Sequence, residues 1–486
     1  MTDPIVSQVL ASDTAVRIAG HADAGGARLA VHDPASGVAF AEVTLGAAAE
    51  AAAALDAAKR SAAGWADSPI AERAAALRAI ADAVEQLAAE DEWPSLITRE
   101  TGKRLAEARA ELGLTVAYFR ITAELLEGQS AERFDVVPGI RHEVRTKPLG
   151  VAAVLTPWNF PVSIPARKIA PAVAAGAPVL FKPSELAPLS SLVLAEVCAG
   201  HLPEGLLSTV LGTPEDVVTP WLADPAVRVV SFTGSTRVGR LVAAQAAPHF
   251  LRTVLELGGC APFVVLPDAD PAAAADTLVV AKYRNNGQSC IAANQVFVAA
   301  EVAGEFTEAF VAATRALRVG DPADPATDLG PLAPADDPAR MAAIVAEAVA
   351  RGARAVTTDA GLPTTGHFAA PTVLLDAPAD CRAMTEEIFG PVAPVHVYRD
   401  LAEALRLHHA TGYGLAGYVC GTDLDAARAV AGRLRAGIVG VNTGTPNTPW
   451  VPFGGLGNSG LGYEGGRPGL EAFQSFQSVA TRPVEG

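Results

Sequence analysis

The chain has 486 residues, half of them hydrophobic and 19% charged, with a net charge of −16 at neutral pH. That length exceeds what one ordinary core encloses, so two or three domains are expected. So acidic a composition disfavours nucleic acid and anionic membranes as partners, and any acidic substrate must be drawn in by local arginines.

After a loose start, the alanine-rich stretch from Gly46 to Gly64 predicts a helix. Ser68-Pro69 reads as an N-cap followed by proline at the first helical position. Leu77, Ile80, Val84 and Leu87 then share one helical face. A third helical stretch covers Gly102 to Glu127, and Arg133 to Pro148 alternates between turn residues as a hairpin would. From Val151 the texture changes. Val151–Leu155, Pro178–Phe181, Leu207–Leu211 and Val227–Phe232 read as strands, separated by helical stretches at Ile164–Ala175, Pro188–Gly200 and Ser235–Ala247. Such alternation predicts parallel βαβ units and an α/β, nucleotide-binding type of sheet. A second series begins at Pro262–Leu266 and runs through helical Pro271–Asn285, strand Gln295–Val298 and helical Val302–Leu317. It ends in strands Gly417–Cys420 and Ile438–Asn442, so a domain boundary is expected at Gly258-Gly259. The glycine-dense run from Gly454 to Gly466 reads by itself as a surface loop.

The five cysteines, Cys198, Cys260, Cys290, Cys381 and Cys420, are scattered and unpaired by spacing, the usage of a reducing cytosol. None forms a Cys-x-x-Cys or Cys/His cluster, so no structural metal is expected. The acidic N-terminus, broken by Pro4, lacks the regions of a signal peptide, and no apolar run of about 18 residues occurs. A cytoplasmic protein without a membrane span is the expectation.

The chemistry concentrates in two short runs. Arg284-Asn285-Asn286-Gly287-Gln288-Ser289-Cys290 offers a thiol on a turn of small polar residues, and Leu255-Glu256-Leu257-Gly258-Gly259 offers a carboxylate beside two glycines. A free cysteine is more often a small buried hydrophobe than a nucleophile. Here the preceding Asn-Gly-Gln-Ser leaves backbone amides free to face an oxyanion, and a thiol near pKa ~8.5 is already a strong nucleophile. Glu256 ends the apolar strand Thr253-Val254-Leu255. Alone it would be a solvated strand-end acid, but between leucines it is expected to be buried, with a raised pKa suited to base work. Asn159, in Thr156-Pro157-Trp158-Asn159-Phe160-Pro161, lies past a strand's C-terminal end, where open α/β sheets bind ligands. It is either a turn asparagine or an amide donor to a tetrahedral oxyanion. Lys182 and Glu185 follow another strand, where charges are usually just solvated; the pair can instead hydrogen-bond ribose hydroxyls, with Glu185 repelling a 2′-phosphate and favouring NAD over NADP. Gly234-Ser235 opens a helix as a phosphate site would, although neither a P-loop nor a G-x-G-x-x-G fingerprint is present.

Taken in order, TPWNFP, FKPSE, FTGSTRVG, LELGG, NNGQSC, EEIFGPV and PFGG…SGLG make the chain resemble the aldehyde dehydrogenase superfamily along nearly its whole length. The resemblance implies a Rossmann-type dinucleotide-binding domain (1–130 and 150–258), an α/β catalytic domain (259–440) and a small β oligomerisation element (131–149 and 467–486). It implies Cys290 as nucleophile, Asn159 with the Cys290 backbone N–H as oxyanion hole, and Glu256 as base for hydrolysis of a thioester. Acylating relatives that use coenzyme A lack a glutamate at that position. Thr156, Trp158, Lys182, Glu185, Gly234, Ser235, Gly258, Glu387 and Phe389 fall where the family contacts NAD or NADP. The partners implied are a small aldehyde and further copies of the chain, as homodimer or homotetramer.

Arg167 and Arg284 match positions that hold the substrate carboxylate in succinic semialdehyde dehydrogenases, and Thr448 and Phe453 fall on the same pocket by resemblance. A guanidinium can grip a carboxylate bidentately, which an aliphatic or aromatic aldehyde cannot exploit. A structural arginine and a broad-specificity enzyme remain the competing reading. So does an inactive relative acting as a binding protein. The loop Thr445–Val451 departs from that subfamily, and its Trp450 is a candidate wall for a bulkier substrate. Ala292 removes the option of a second cysteine two residues beyond the nucleophile, and Cys260 stands where Asn or His is usual.

Overall fold

The computed structural model describes residues 4–12, 16–18, 26–358 and 361–482. Two seven-stranded sheets dominate. The first has the order Val16–Arg17, Leu207–Val210, Val179–Lys182, Val151–Leu155, Val227–Thr233, Arg252–Glu256, Gly460–Leu461. Its inner strands run parallel and its two outermost pairings are antiparallel. Val151–Leu155 is buried at every position, as a central strand covered on both faces must be. Helix Ser163–Ala175 is likewise buried throughout, and that burial includes the charged Arg167 and Lys168.

The second sheet has the order Arg354–Thr357, Thr372–Leu375, Val392–Tyr398, Ala293–Ala299, Ala261–Val265, Ala416–Cys420, Ile438–Val441. All its pairings are parallel except that of Arg354–Thr357 with Thr372–Leu375. The chain therefore changes sheets between Glu256 and Ala261, and returns to the first at Gly460–Leu461, whose residues pair with Glu256 and Leu255. The Gly-rich run read as a surface loop thus supplies an edge strand beside Glu256. A third sheet pairs Gln474–Thr481 with Ile140–Pro148, and that strand with Glu132–Val137. Residues 483–486 of the expected C-terminal tail lie outside the described residues.

One helix start differs from its expectation. Helix Ile70–Ala88 buries Leu77, Ile80, Val84 and Leu87, yet Pro69 occupies its N-cap position. Ser68 instead donates its hydroxyl to the Trp65 carbonyl at 2.7 Å and closes the preceding helix, Ala48–Ala66. The helix expected over Gly102 to Glu127 is present and begins three residues late, at Leu105. Helix Glu92–Thr101 ends at Gly102, which has φ +73°, and a new helix runs Leu105–Glu127. Lys103 sits in the turn between them. Among the described residues no helix is long and apolar enough to cross a membrane, and no group of His, Cys, Asp or Glu is placed to hold a metal ion.

Candidate active site

Helix Pro271–Tyr283 stops short of Cys290, and Asn285, Asn286 and Gly287 follow with φ of 53°, 59° and 77°. Three consecutive left-handed residues are tolerable only where side chains fix them. Asn286 Nδ2 donates to the carbonyls of Pro331 at 2.9 Å and Gly102 at 3.2 Å, while its Oδ1 accepts from Gly330 N at 2.8 Å. Gln288 Oε1 accepts from Ala333 N at 2.9 Å. The loop delivers Cys290 half-buried against the Gly258-Gly259 turn, so close that a Cβ on Gly259 would lie 2.1 Å from the Cys290 carbonyl oxygen. Burial pushes the thiol up to about 12, with Glu387 and Glu256 adding to the rise and Arg167 opposing it.

Asn159 is buried and donates Nδ2 to the Gln288 carbonyl at 3.0 Å, which leaves its second amide hydrogen for another acceptor. Glu256 is 1% exposed and neither carboxylate oxygen has a hydrogen-bond partner among the described residues. Burial raises its carboxyl well above the ordinary range, Glu464 adds to this, and Arg167 and Lys168 pull it down. Once ionised, an acid so held is a stronger base towards water than an ordinary carboxylate.

Arg167 is less free than the sequence implied. Its Nε donates to Glu464 Oε2 at 2.6 Å, and its guanidinium stacks on the Phe453 ring at 4.1 Å. Its Nη2 is buried without a partner among the described residues. Lys168 Nζ donates to both Glu464 and Ser231. Arg284 is half-buried, 5.5 Å from the Phe160 ring centroid, and has no carboxylate within ion-pair distance among the described residues.

Cys290 borders two chambers. One is walled by Leu114, Tyr118, Phe160, Arg167, Arg284, Asn447 and Phe453. Thr448 is not on that wall, because its neighbour Asn447 turns inward and Thr448 outward to solvent. Trp450 is not there either. It is 52% exposed in a separate groove beside Thr146 and Phe476, so it does not shape the chamber.

The other chamber is walled by Trp158, Asn159, Gly234, Ser235, Gly258, Glu387 and Phe389. Trp158 and Phe389 meet edge to face at 5.7 Å. Glu387, raised to about 7 by burial, accepts from Gly259 N at 2.9 Å. A Cβ on Gly258 would come 2.5 Å from Glu387 Oε2, so glycine keeps this wall open. Ser235 caps helix Thr236–Ala246, and the buried hydroxyls of Thr233 and Thr156 lack partners among the described residues. Thr156 and Lys182 stand just outside, at neighbouring strand ends, with Lys182 Nζ on Glu185 Oε1 at 2.5 Å. Open backbone, orphaned hydroxyls and a capped helix N-terminus fit a phosphate-bearing dinucleotide. Glu185 also borders a cleft with His32 and His367, beyond the chamber.

The sequence reading missed Glu464, Lys103 and Glu111. Glu464 had a signal in the glycine-dense run that ended up lining the site. The other two had none, since the Asn159–Ser163 segment that they hold lies far along the chain.

Cys290 and Asn159 border one chamber, and the buried Glu256 is near enough for its charge to act on the thiol. Residues 21–479 match the aldehyde dehydrogenase family. The chain is 40% identical over 434 residues to a succinate-semialdehyde dehydrogenase of Paenarthrobacter nicotinovorans, covering 88% of this chain and 96% of that protein. It is 38% identical over 457 residues to a glutarate-semialdehyde dehydrogenase of Pseudomonas aeruginosa, covering 92% and 93%. Its fold is similar to the crystal structure of succinate-semialdehyde dehydrogenase from Burkholderia pseudomallei, with a TM-score of 0.94 and 38% identity over 99% of this chain and 100% of that one. The chain belongs to the aldehyde dehydrogenase family, and it is an enzyme that oxidises aldehydes with NAD or NADP.

Proposed function

We propose that the chain oxidises a semialdehyde carrying a distal carboxylate, succinic semialdehyde first among them, to the dicarboxylic acid. The observation that carries this reading is Arg284, a guanidinium with no carboxylate partner among the described residues, on the wall of the chamber that also holds Cys290. A carboxylate there would gain a charge-assisted, bidentate partner. Arg167 contributes its unpartnered Nη2 and positive field, although Glu464 occupies its other edge.

Cys290 releases its thiol proton to solvent, and the thiolate attacks the aldehyde carbon. The oxygen that becomes negative is met by the free Asn159 amide hydrogen and the Cys290 backbone N–H, a term of about 2.7–4 kcal/mol for one such donor. A bound nicotinamide supplies the acceptor for the aldehyde's hydride, and Cys290 is left acylated. Glu256 then takes a proton from water, the water attacks the acyl carbon, and Cys290 leaves as thiolate. The free acid departs. Trp158, Gly234, Ser235, Gly258, Glu387 and Phe389 would hold the nicotinamide end, and Thr156, Lys182 and Glu185 the adenosine end. The Glu185 charge favours NAD over NADP.

The test is a panel of succinic semialdehyde, glutaric semialdehyde, butanal and benzaldehyde, run with NAD and with NADP. Arg284→Ala should cost about 2–4 kcal/mol in kcat/KM on the acid substrates, roughly 30- to 1000-fold, and little on butanal. Equal losses on all four would make Arg284 structural and leave a broad-specificity enzyme.

A further inference from the structure

Lys103 and Glu111 form an ion pair that is wholly buried. Two charges are costly to desolvate, and such a pair is poor evidence for stability, so its placement calls for another reason. Among the described residues, the other side-chain hydrogen bonds of the pair all land on the segment that carries Asn159. Lys103 Nζ donates to the Asn159 backbone carbonyl at 2.8 Å and lies 4.2 Å from the Phe160 ring centroid. Glu111 Oε1 accepts from Val162 N at 2.9 Å and Ser163 N at 3.1 Å, at the start of the buried helix that bears Arg167. The same Asn159 carbonyl accepts from Asn285 Nδ2 at 3.1 Å. Asn285 Nδ2 also donates to the Gln288 carbonyl at 3.0 Å, the acceptor that Asn159 Nδ2 uses. Asn285 is fixed in turn by Glu107, whose Oε1 accepts from its backbone N at 2.8 Å.

We propose that Lys103, paired with Glu111, is a positioning residue for the oxyanion donor: it fixes the Asn159 peptide from one side while Asn285 fixes it from the cysteine loop. With the carbonyl held by two donors the peptide plane cannot swing, and the Gln288 carbonyl then sets the side-chain amide. The free amide hydrogen is left aimed where the substrate oxygen becomes negative. This rests on the reading of Asn159 as that donor. Catalytic groups need such support, because an ångström of misplacement removes much of an electrostatic contribution.

The test uses the pair variant Lys103→Met/Glu111→Gln, which buries no lone charge and keeps an acceptor for Val162 N and Ser163 N. The rate of the first NADH burst is measured with succinic semialdehyde and NAD, alone and combined with Asn159→Ala. NAD affinity by fluorescence and the thermal midpoint are followed alongside. The expected result is a burst slowed roughly 10- to 100-fold, with NAD affinity within twofold of the parent. In the Asn159→Ala background the pair variant should add less than threefold. A burst within twofold of the parent, or a full multiplicative loss on top of Asn159→Ala, would overturn the positioning role. An unchanged burst in Asn159→Ala alone would overturn the oxyanion reading itself, and this proposal with it.

Discussion

At Gly259 the absence of a side chain is a requirement, because a methyl group there would sit 2.1 Å from the Cys290 carbonyl oxygen. The obstacle is backbone, so no rotamer change relieves it. Gly259→Ala should therefore displace the nucleophile and lower kcat/KM at least ~100-fold, seen also as altered alkylation kinetics of Cys290. The neighbouring Glu256 makes a different prediction. Burial raises its carboxyl, so it is still protonated at a pH where an ordinary glutamate has ionised. Only the ionised form accepts a proton from water. Steady turnover should thus fall on the acid side with an apparent pKa above the ordinary carboxylate range. Glu256→Gln should abolish steady turnover at every pH while preserving an initial NADH burst. A variant that kept steady turnover would show that another base hydrolyses the acyl-enzyme.

Helix Pro271–Tyr283 buries the Lys282 ammonium beside Cys260 with no hydrogen-bond partner for Nζ among the described residues. Burial lowers its pKa to about 7, against ~10.4 in an unfolded chain. Between those values the unfolded chain binds a proton that the folded chain does not. Stability should therefore rise with pH across that window and carry the full penalty at and below pH 7. Lys282→Met removes the penalty, on the order of 2–4 kcal/mol. Its melting midpoint should exceed the parent's at pH 7 and converge with it near pH 10. Elements of this kind were legible wherever one stretch of chain determined them. The face of Leu77, Ile80, Val84 and Leu87 was plain, and so was the strand–helix alternation after Gly150. Ser68 misled because a hydroxyl can close the helix behind it as well as open the next. Cys290, Glu256 and Asn159 could be singled out as candidates because each sits in a local run of special residues. Lys103, Glu111 and Glu464 were not, since each acquires its role from a partner that only the fold brings near. Thr448 and Trp450 show the same limit, because in an irregular loop spacing does not tell which side chain turns inward.

Across the whole molecule, the three-stranded sheet is the part that the two large sheets leave least explained. Gln474–Thr481 pairs along its length with Ile140–Pro148, so the C-terminal strand is tied to the hairpin that interrupts the first half of the chain. The assembly exposes Val136 at 77%, Phe476 at 61% and Trp450 at 52%, and every residue of Glu132–Val137 is exposed. Large apolar side chains left exposed on a sheet mark association surfaces more often than bare solvent faces. We propose that this sheet joins copies of the chain into a dimer or tetramer. Light scattering after gel filtration should give a mass at least twice the 49.7 kDa of one chain. Val136→Asp together with Phe476→Asp places charge on the patch without touching either chamber beside Cys290, so it should shift the mass downward while the NADH burst per subunit persists. A parent protein that runs at the mass of one chain would make the patch an ordinary exposed face. A variant that dissociates and also loses the burst would mean that each subunit's Cys290 chamber depends on its neighbour for support.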